Sequence, residues 1–319
     1  MNSTTHTQPA PEPKNYVIWR ILDGKAGHEA QTLGLAKALE KKIHLHHIDI
    51  NATGRWKNFL NWLFKRFESG KSLPAPDLIM GAGNRTHFPL LSASRIYGGK
   101  TVVLMQPTLP TSLFDLCLIP KHDLRKAGKN IILTDGVLNP IQPAPDAALQ
   151  CGLFLIGGPS KHYKWDTAGI LDQVVTLIRE NPETHWTLTT SRRTPIDCTQ
   201  ALVDLSYQNL EVIPVEKTPG GWVAEKLRKC KIVWVSEDSV SMVYEALTAG
   251  ALTGLLAVPP VKQTSRVQNS VRLLLEQQRI VYFEKRDQLL KLGNDTRIAE
   301  ADRCADYIIN HLLHAKSQS

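Results

Sequence analysis

Residues 233–256 read VWVSEDSVSMVYEALTAGALTGLL, and the pattern in this stretch recurs along the chain. Ile232 to Val235 is short, apolar and β-branched, as a buried parallel strand is. Ser236 to Ser241 is a cluster of small hydroxyl and carboxylate residues, which suits a helix N-terminus with free backbone N–H groups. Met242, Val243, Ala246, Leu247 and Ala249 then recur at helical spacing, with Gly250 as the C-cap. Leu252 to Val258 is the next apolar run, closed by Pro259 and Pro260. A helix N-terminus at the carboxyl end of a parallel strand receives anions, which makes Asp238, Ser239, Val240 and Ser241 candidates. Glu245, one turn into the helix, suits a ribose diol. A capped helix carrying a solvated glutamate fits the same letters.

The N-terminal half opens with the same scheme. Tyr16 to Leu22 reads as a strand, Asp23-Gly24-Lys25-Ala26-Gly27-His28 as a loop, and about Glu29 to Lys41 as a helix buried through Leu33, Leu35, Ala36 and Leu39. The glycine spacing is not GxGxxG, so no dinucleotide fingerprint is read. His28 near a helix N-terminus is biased towards the neutral imidazole and suits a general base, with Asp23 as the other candidate. A capping or packing histidine fits equally. Pro76 to Met80 is a strand entering a second glycine loop, which holds Gly83, Arg85 and Thr86. Strands at 44–50, 101–105, 114–120 and 130–134 complete the half. After 153–156 come Gly157, Gly158, Pro159 and Ser160, then a helix at 166–180. Trp186 to Thr190 runs into Ser191, Arg192 and Arg193, a pair able to clamp a diphosphate or simply to lie on the surface. Helices are read at 221–230 and 298–313. Short strands alternating with helices imply parallel βαβ units, hence an α/β fold with two domains.

The 319 residues are ample for two such domains, at 15–140 and 150–297, with proline-rich 141–149 as linker. Residues 1–14 read as a disordered lead, and 298–319 as a terminal helix that crosses back to the first domain. No apolar run approaches the roughly 18 residues of a membrane span. The five cysteines are scattered without a CxxC pair, so neither a disulfide framework nor a zinc site is expected, consistent with the cytosol. A net charge of +8 favours an anionic partner. Nucleic acid is disfavoured because no recognition motif is visible. Residues 55–67 form a basic aromatic helix, with Trp56, Phe59, Leu60, Leu63, Phe64 and Phe67 on one face. Lys57, Lys65 and Arg66 lie on the other, with Trp62 among them. That mixture suits peripheral contact with a membrane interface, although such a stripe is also met as core.

DGKAGHEAQTLGL (23–35), GAGNRTH (81–87), FDLCLIPKHD (114–123), IGGPSKH (156–162), TTSRRTP (189–195) and EDSVSMVYEA (237–246) resemble the ELM-type family, named for a plant mitochondrial fission factor. Its bacterial members are regarded as glycosyltransferases, one linked to the outer core of lipooligosaccharide. The first-strand loop, the GG loop and the Ser-Val-Ser…Glu helix also resemble the GT-B glycosyltransferase that forms lipid II. That resemblance implies two Rossmann-like domains with parallel sheets facing an interdomain cleft. It implies Glu245 on the ribose, and Ser239, Val240, Ser241, Gly157 and Gly158 on the diphosphate. Gln263, with Gln268, would contact the donor sugar, and His28 would face the acceptor. Asp23-Gly24-Lys25 departs from that family's glycine-only start, and GGPS lacks its second glycine pair.

The expectation is therefore sugar transfer from a nucleotide-activated donor to a membrane-associated, lipooligosaccharide core-type acceptor, with no cofactor. No D-x-D sequence occurs, so no metal is expected. A nucleotide-sugar epimerase and a non-catalytic membrane-associated scaffold are the alternatives.

Overall fold

The computed structural model describes residues 14–123, 128–261, 266–293 and 297–314. It divides into two compact units. The first takes 14–118, 128–132 and 301–314; the second takes 119–123 and most of 133–300.

The first unit's sheet contains β1 (Tyr16–Leu22), β2 (Leu45–Asn51), β3 (Leu78–Ala82), β4 (Lys100–Leu104), β5 (Leu116–Pro120) and β6 (Ile131–Thr134). Their order is β2-β1-β3-β4-β5-β6. The pairings of β1 with β2 and β3, and of β4 with β3 and β5, are parallel; Ile18 stands beside Leu78. β3 and β5 are buried along their whole length, because helices cover both faces of a parallel sheet. The helices include α1 (Ala26–Glu40), α2 (Arg55–Leu63) and α3 (His87–Tyr97).

The second unit's sheet contains β7 (Ala148–Leu155), β8 (His185–Thr189), β9 (Leu210–Ile213), β10 (Cys230–Ser236), β11 (Leu252–Leu256) and β12 (Ile280–Tyr282). Their order is β12-β11-β10-β7-β8-β9, all parallel. Its helices include α4 (Thr167–Glu180), α5 (Ile196–Val203), α6 (Trp222–Leu227), α7 (Val240–Ala249) and α8 (Arg266–Glu276). Alternate strand residues feed two cores. Leu155 and Val235 pack with Leu247 and Val271 on one face, while Phe154 and Trp234 pack with Ile170 and Leu188 on the other.

In each sheet the strand order reverses once, between β1 and β3 and between β7 and β10. Loops leaving adjacent strands in opposite directions open a crevice at such a point, where open α/β sheets take ligands.

Several expectations change. α1 begins three residues early, at Ala26, so His28 lies inside its first turn. Residues 141–149 are not a free linker. Ile141 joins the second unit's core, Asn139 Nδ2 donates to Thr248 Oγ1 at 3.0 Å, and the Ala144 N–H donates to the Ala249 carbonyl at 2.9 Å. Ala148 already starts β7. The cysteines are not all free: Cys151 and Cys230, on neighbouring β7 and β10, form a disulfide with Cα atoms 4.4 Å apart. Their 79-residue separation hides a pairing that strand adjacency creates. The terminal helix α9 (Glu300–Ile308) starts at Glu300 rather than at residue 298; all of it but Glu300 lies in the first unit, where Asp306 pairs with Lys42 at 2.6 Å. The edge strands β9 and β12, of four and three residues, and α5, of eight, are too short for a periodic pattern to announce them in the sequence. Residues 1–13, the expected lead, lie outside the described residues.

Candidate functional site

At the reversal point of the first sheet, the chain leaves β1 through Asp23 and enters α1 at Ala26. Gly24 has a φ of +80°, a conformation glycine adopts without strain, and its N–H donates to Glu29 Oε1 at 3.1 Å. The Lys25 N–H donates to Asp23 Oδ1 at 3.1 Å. The Lys25 carbonyl accepts the N–H groups of His28 and Glu29, so the first helical turn is closed and His28 is fixed. From underneath, buried Arg20 holds the turn by donating to the Glu29 carbonyl at 3.1 Å and to Thr32 Oγ1, and pairs with Asp49 at 2.9 Å. Burial pulls the Arg20 pKa below its ordinary value, opposed by Asp49 and Glu29.

This turn presents His28 Nδ1 to Asp23 Oδ2 at 2.9 Å. The Asp23 side chain is wholly out of solvent, whereas His28 keeps 20 % of its side chain exposed. A carboxylate only accepts, so Asp23 selects the tautomer with hydrogen on Nδ1 and leaves Nε2 as a proton acceptor. The partner loop leaves β3. Gly83, at φ +82°, lies so close that a Cβ would strike the His28 ring. Thr86 is buried and donates to the Gly83 carbonyl at 2.8 Å, while Arg85 is exposed. Next along, His87 is buried, and burial pushes its pKa down to about 4; it pairs with Thr108 Oγ1 at 3.3 Å. Gly27 and Lys25 are exposed, and nothing stands within 4 Å of a Cβ at Gly27.

At the reversal point of the second sheet, the polar residues are occupied by one another. Ser236 Oγ accepts the Gly157 N–H at 2.7 Å and donates to Asp238 Oδ1 at 2.7 Å. Asp238 Oδ2 accepts the Gly158 N–H at 3.0 Å and an Arg193 N–H at 2.8 Å. Arg193 also donates to the Gly158 carbonyl at 2.8 Å, and Thr194 Oγ1 to the Gly157 carbonyl. Ser191 closes the 191–194 turn against Thr194. The glycines are here for packing: a Cβ on Gly157 would strike Asp238, and one on Gly158 the Arg193 backbone. The sequence reading placed Gly157, Gly158 and Arg193 on a diphosphate, and Asp238 in the same nucleotide-sugar site. Here the two N–H groups and the Arg193 guanidinium are engaged with the protein, and Asp238 is the hub of the staple. Arg192 is exposed and has no ion-pair partner among the described residues.

Beyond the staple, α7 begins at Val240 with Ser239 as a buried N-cap residue. The Met242 and Val243 N–H groups bond to the Ser239 carbonyl, while those of Val240 and Ser241 precede the first helical bonds. One turn on, Glu245 is half-buried with no hydrogen bond or ion pair among the described residues. Burial pushes its carboxyl up to about 7. Ser160 lies half-buried in the loop after β7, where its Oγ accepts the His162 N–H at 3.2 Å. Gln263 lies outside the described residues.

Sequence reading missed Glu237. This buried carboxylate accepts the hydroxyls of Tyr163 at 3.2 Å and Tyr282 at 2.8 Å, and burial raises its pKa. It lines a cavity of about 830 Å³ together with Asp166, Val258, Pro259, Asn269 and Tyr282. Tyr163 and Tyr282 are 119 residues apart in a chain that gives no local sign of the pairing. No group of three or more His, Cys, Asp or Glu side chains able to hold a metal occurs among the described residues.

The surface helix is also rearranged. α2 ends at Leu63, and Lys65 has a φ of +53°. Phe59 and Trp62 turn inward against Phe88, at ring distances of 5.3 and 5.4 Å, and Phe67 stacks on Trp19. Trp56, Lys57, Lys65 and Arg66 are exposed. No described helix is long and apolar enough to cross a membrane.

Comparison with known proteins finds a model described as mitochondrial fission ELM1 matching residues 26–312. An uncharacterized protein of Rickettsia prowazekii (strain Madrid E), RP120, is 23% identical over 344 residues, 91% of this chain and 97% of that protein. A solved putative UDP-N-acetylglucosamine 2-epimerase of Listeria monocytogenes superposes with a TM-score of 0.64 at 12% identity, over 96% of this chain and 98% of that one. A UDP-GlcNAc 2-epimerase of Neisseria meningitidis, bound to UDP-GlcNAc, gives 0.53 at 12% identity, over 94% and 100%. MurG of Acinetobacter baumannii gives 0.49 at 15% identity, over 92% and 99%. At such identities the likeness concerns the fold, which is of the GT-B type, with two Rossmann-like α/β units. A family match running from the first turn of α1 to the last helical turn of the chain makes this protein a member of the mitochondrial fission ELM1 family.

Proposed function

We propose that this chain is a metal-independent glycosyltransferase that moves a sugar from a nucleotide-activated donor to a hydroxyl of a lipid-linked or core oligosaccharide. The observation that carries the reading is the Asp23–His28 pair at the reversal point of the first sheet. A neutral imidazole oriented by a buried carboxylate is a general base for a hydroxyl. In the proposed step the acceptor oxygen attacks the anomeric carbon and gives its proton to His28 Nε2. The bond from that carbon to the phosphate oxygen breaks, and its electron pair leaves with the nucleoside diphosphate. Glu245 takes the ribose hydroxyls. The Val240 and Ser241 N–H groups and the Arg192 guanidinium take the diphosphate charge in place of a metal.

The test is calorimetry with UDP-, GDP-, ADP- and CMP-sugars on the wild type and Glu245→Ala. Micromolar binding lost in the variant supports the donor site. Nucleoside diphosphate release that needs an acceptor, and that survives EDTA, supports the transfer. Absence of binding by a folded protein refutes the reading and favours a scaffold.

A second reading has one observation in its favour: the superpositions with TM-scores of 0.64 and 0.53 are on UDP-GlcNAc 2-epimerases. Conversion of free UDP-GlcNAc by the protein alone would select it.

A further inference from the structure

The helix α2 leaves an apolar stripe uncovered. Trp56 is 81% exposed and Phe64 63%, with Leu60 and Leu63 also exposed. Residues 56, 60 and 63, followed by 64 at the C-cap, fall on one side at a spacing of three and four. The opposite side of the helix is accounted for: Asn58 is buried, and Phe59 and Trp62 pack on Phe88 of α3. A soluble surface seldom gathers a tryptophan, a phenylalanine and two leucines in the open unless they serve contact.

The surroundings say with what. Arg55, Lys57, Lys65 and Arg66 flank the stripe, all exposed and none in an ion pair among the described residues. Residues 52–67 contain no Asp or Glu. Lys14, Lys42 and Lys71 of the same unit are exposed and paired with carboxylates. An apolar face rimmed by uncompensated cations complements an anionic bilayer: rings and leucines enter the acyl boundary while cations sit at the headgroups. A second copy of the same face would oppose cations to cations.

The helix is also tied to the base. Asn58 Nδ2 donates to the Thr53 carbonyl at 3.0 Å and to the Arg85 carbonyl at 3.4 Å, and Thr53 Oγ1 donates back to Asn58 Oδ1. Arg85 belongs to the loop whose Gly83 abuts His28. We infer that the Trp56–Leu60–Leu63–Phe64 face of α2 docks on an anionic lipid bilayer and, through Asn58, holds the His28 loop at the membrane surface. The link to the acceptor rests on the proposed function; the docking does not.

The experiment uses the full chain with phosphatidylcholine vesicles, with and without phosphatidylglycerol, in co-sedimentation at low and high salt. Expected are binding to the anionic vesicles about tenfold or more above the neutral ones, and loss of that preference at high salt. W56S/L60S/F64S should abolish binding. K57Q/R66Q should weaken it about fivefold per charge removed. Donor binding, read in parallel by calorimetry, should be unchanged in both variants, so failure of docking and failure of the donor site are told apart. Equal binding to both vesicle types overturns the proposal. So does binding retained by W56S/L60S/F64S, or a wild-type dimer that this triple variant dissolves in the absence of vesicle binding.

Discussion

His28 Nδ1 stands 2.9 Å from Asp23 Oδ2, on a carboxylate that solvent does not reach. The aspartate therefore decides which ring nitrogen carries hydrogen, and Nε2 is left as the acceptor. Asp23→Asn should keep the fold and offer the ring an amide that supports the wrong tautomer. The expected loss in kcat is about 10²–10⁴-fold, matching His28→Ala, and the double variant should lose no more than either alone. Additive losses would mean the two residues act separately.

Gly83 is required by its φ of +82° and by the His28 ring beside it. Gly83→Ala should destabilise the chain by roughly 1–2 kcal/mol, from backbone strain and displacement of the ring. Denaturant melts measure the first effect. The His28 imidazole resonances in NMR spectra should report the second.

Asp238 ties Gly158, Ser236 and Arg193 into one staple, with its carboxylate out of solvent and Arg193 half-exposed. Asp238→Ala should cost on the order of 2–4 kcal/mol, because it strands a buried N–H and a buried hydroxyl. Arg193→Gln should cost about 1 kcal/mol, since water already serves part of that guanidinium. Urea melts of the two variants should show this order; equal costs would contradict the assigned hub.

Glu245 gives a pH dependence of known sign. Its folded pKa, about 7, lies above the ordinary 4.5, so the folded state holds the proton more tightly than the unfolded chain. Its stabilising contribution is complete below about pH 4.5 and is lost as pH rises through 7, by an amount on the order of 1–3 kcal/mol. Glu245→Gln should remove that dependence and be the more stable chain at pH 8. A ribose diol needs the ionised carboxylate, so wild-type donor affinity should rise between pH 6 and about 8. Calorimetry across that range checks it; a flat profile would remove Glu245 from the donor site.

The Cys151–Cys230 bond closes a loop of 79 residues inside the second unit. Non-reducing peptide mapping should find this pair joined and Cys117, Cys198 and Cys304 as thiols. Reduction should lower stability by about 4–5 kcal/mol in the chain-entropy account. An unchanged melting temperature after reduction would contradict that contribution.

Fold class was legible in the residues alone, because parallel strands buried on both faces must be short apolar runs and their loops must hold the polar residues. Tyr16–Leu22 is a strand as read, and the polar segments that follow β1, β3, β7 and β10 lie at the carboxyl ends of strands, although α1 takes in Ala26–His28 and α7 takes in Val240 and Ser241. Tertiary structure alone decided what those loop residues do. Arg193 and Asp238 are 45 residues apart and meet only because β8 and β10 flank β7. Once paired, they hold each other and the two glycines. The adjacency of β7 and β10 also joined Cys151 to Cys230, and the order β12-β11-β10-β7 brought the hydroxyls of Tyr163 and Tyr282 to Glu237. On α2 the composition was legible but the face was not. Helical periodicity says which residues lie together, and only the position of Phe88 says which of them are covered.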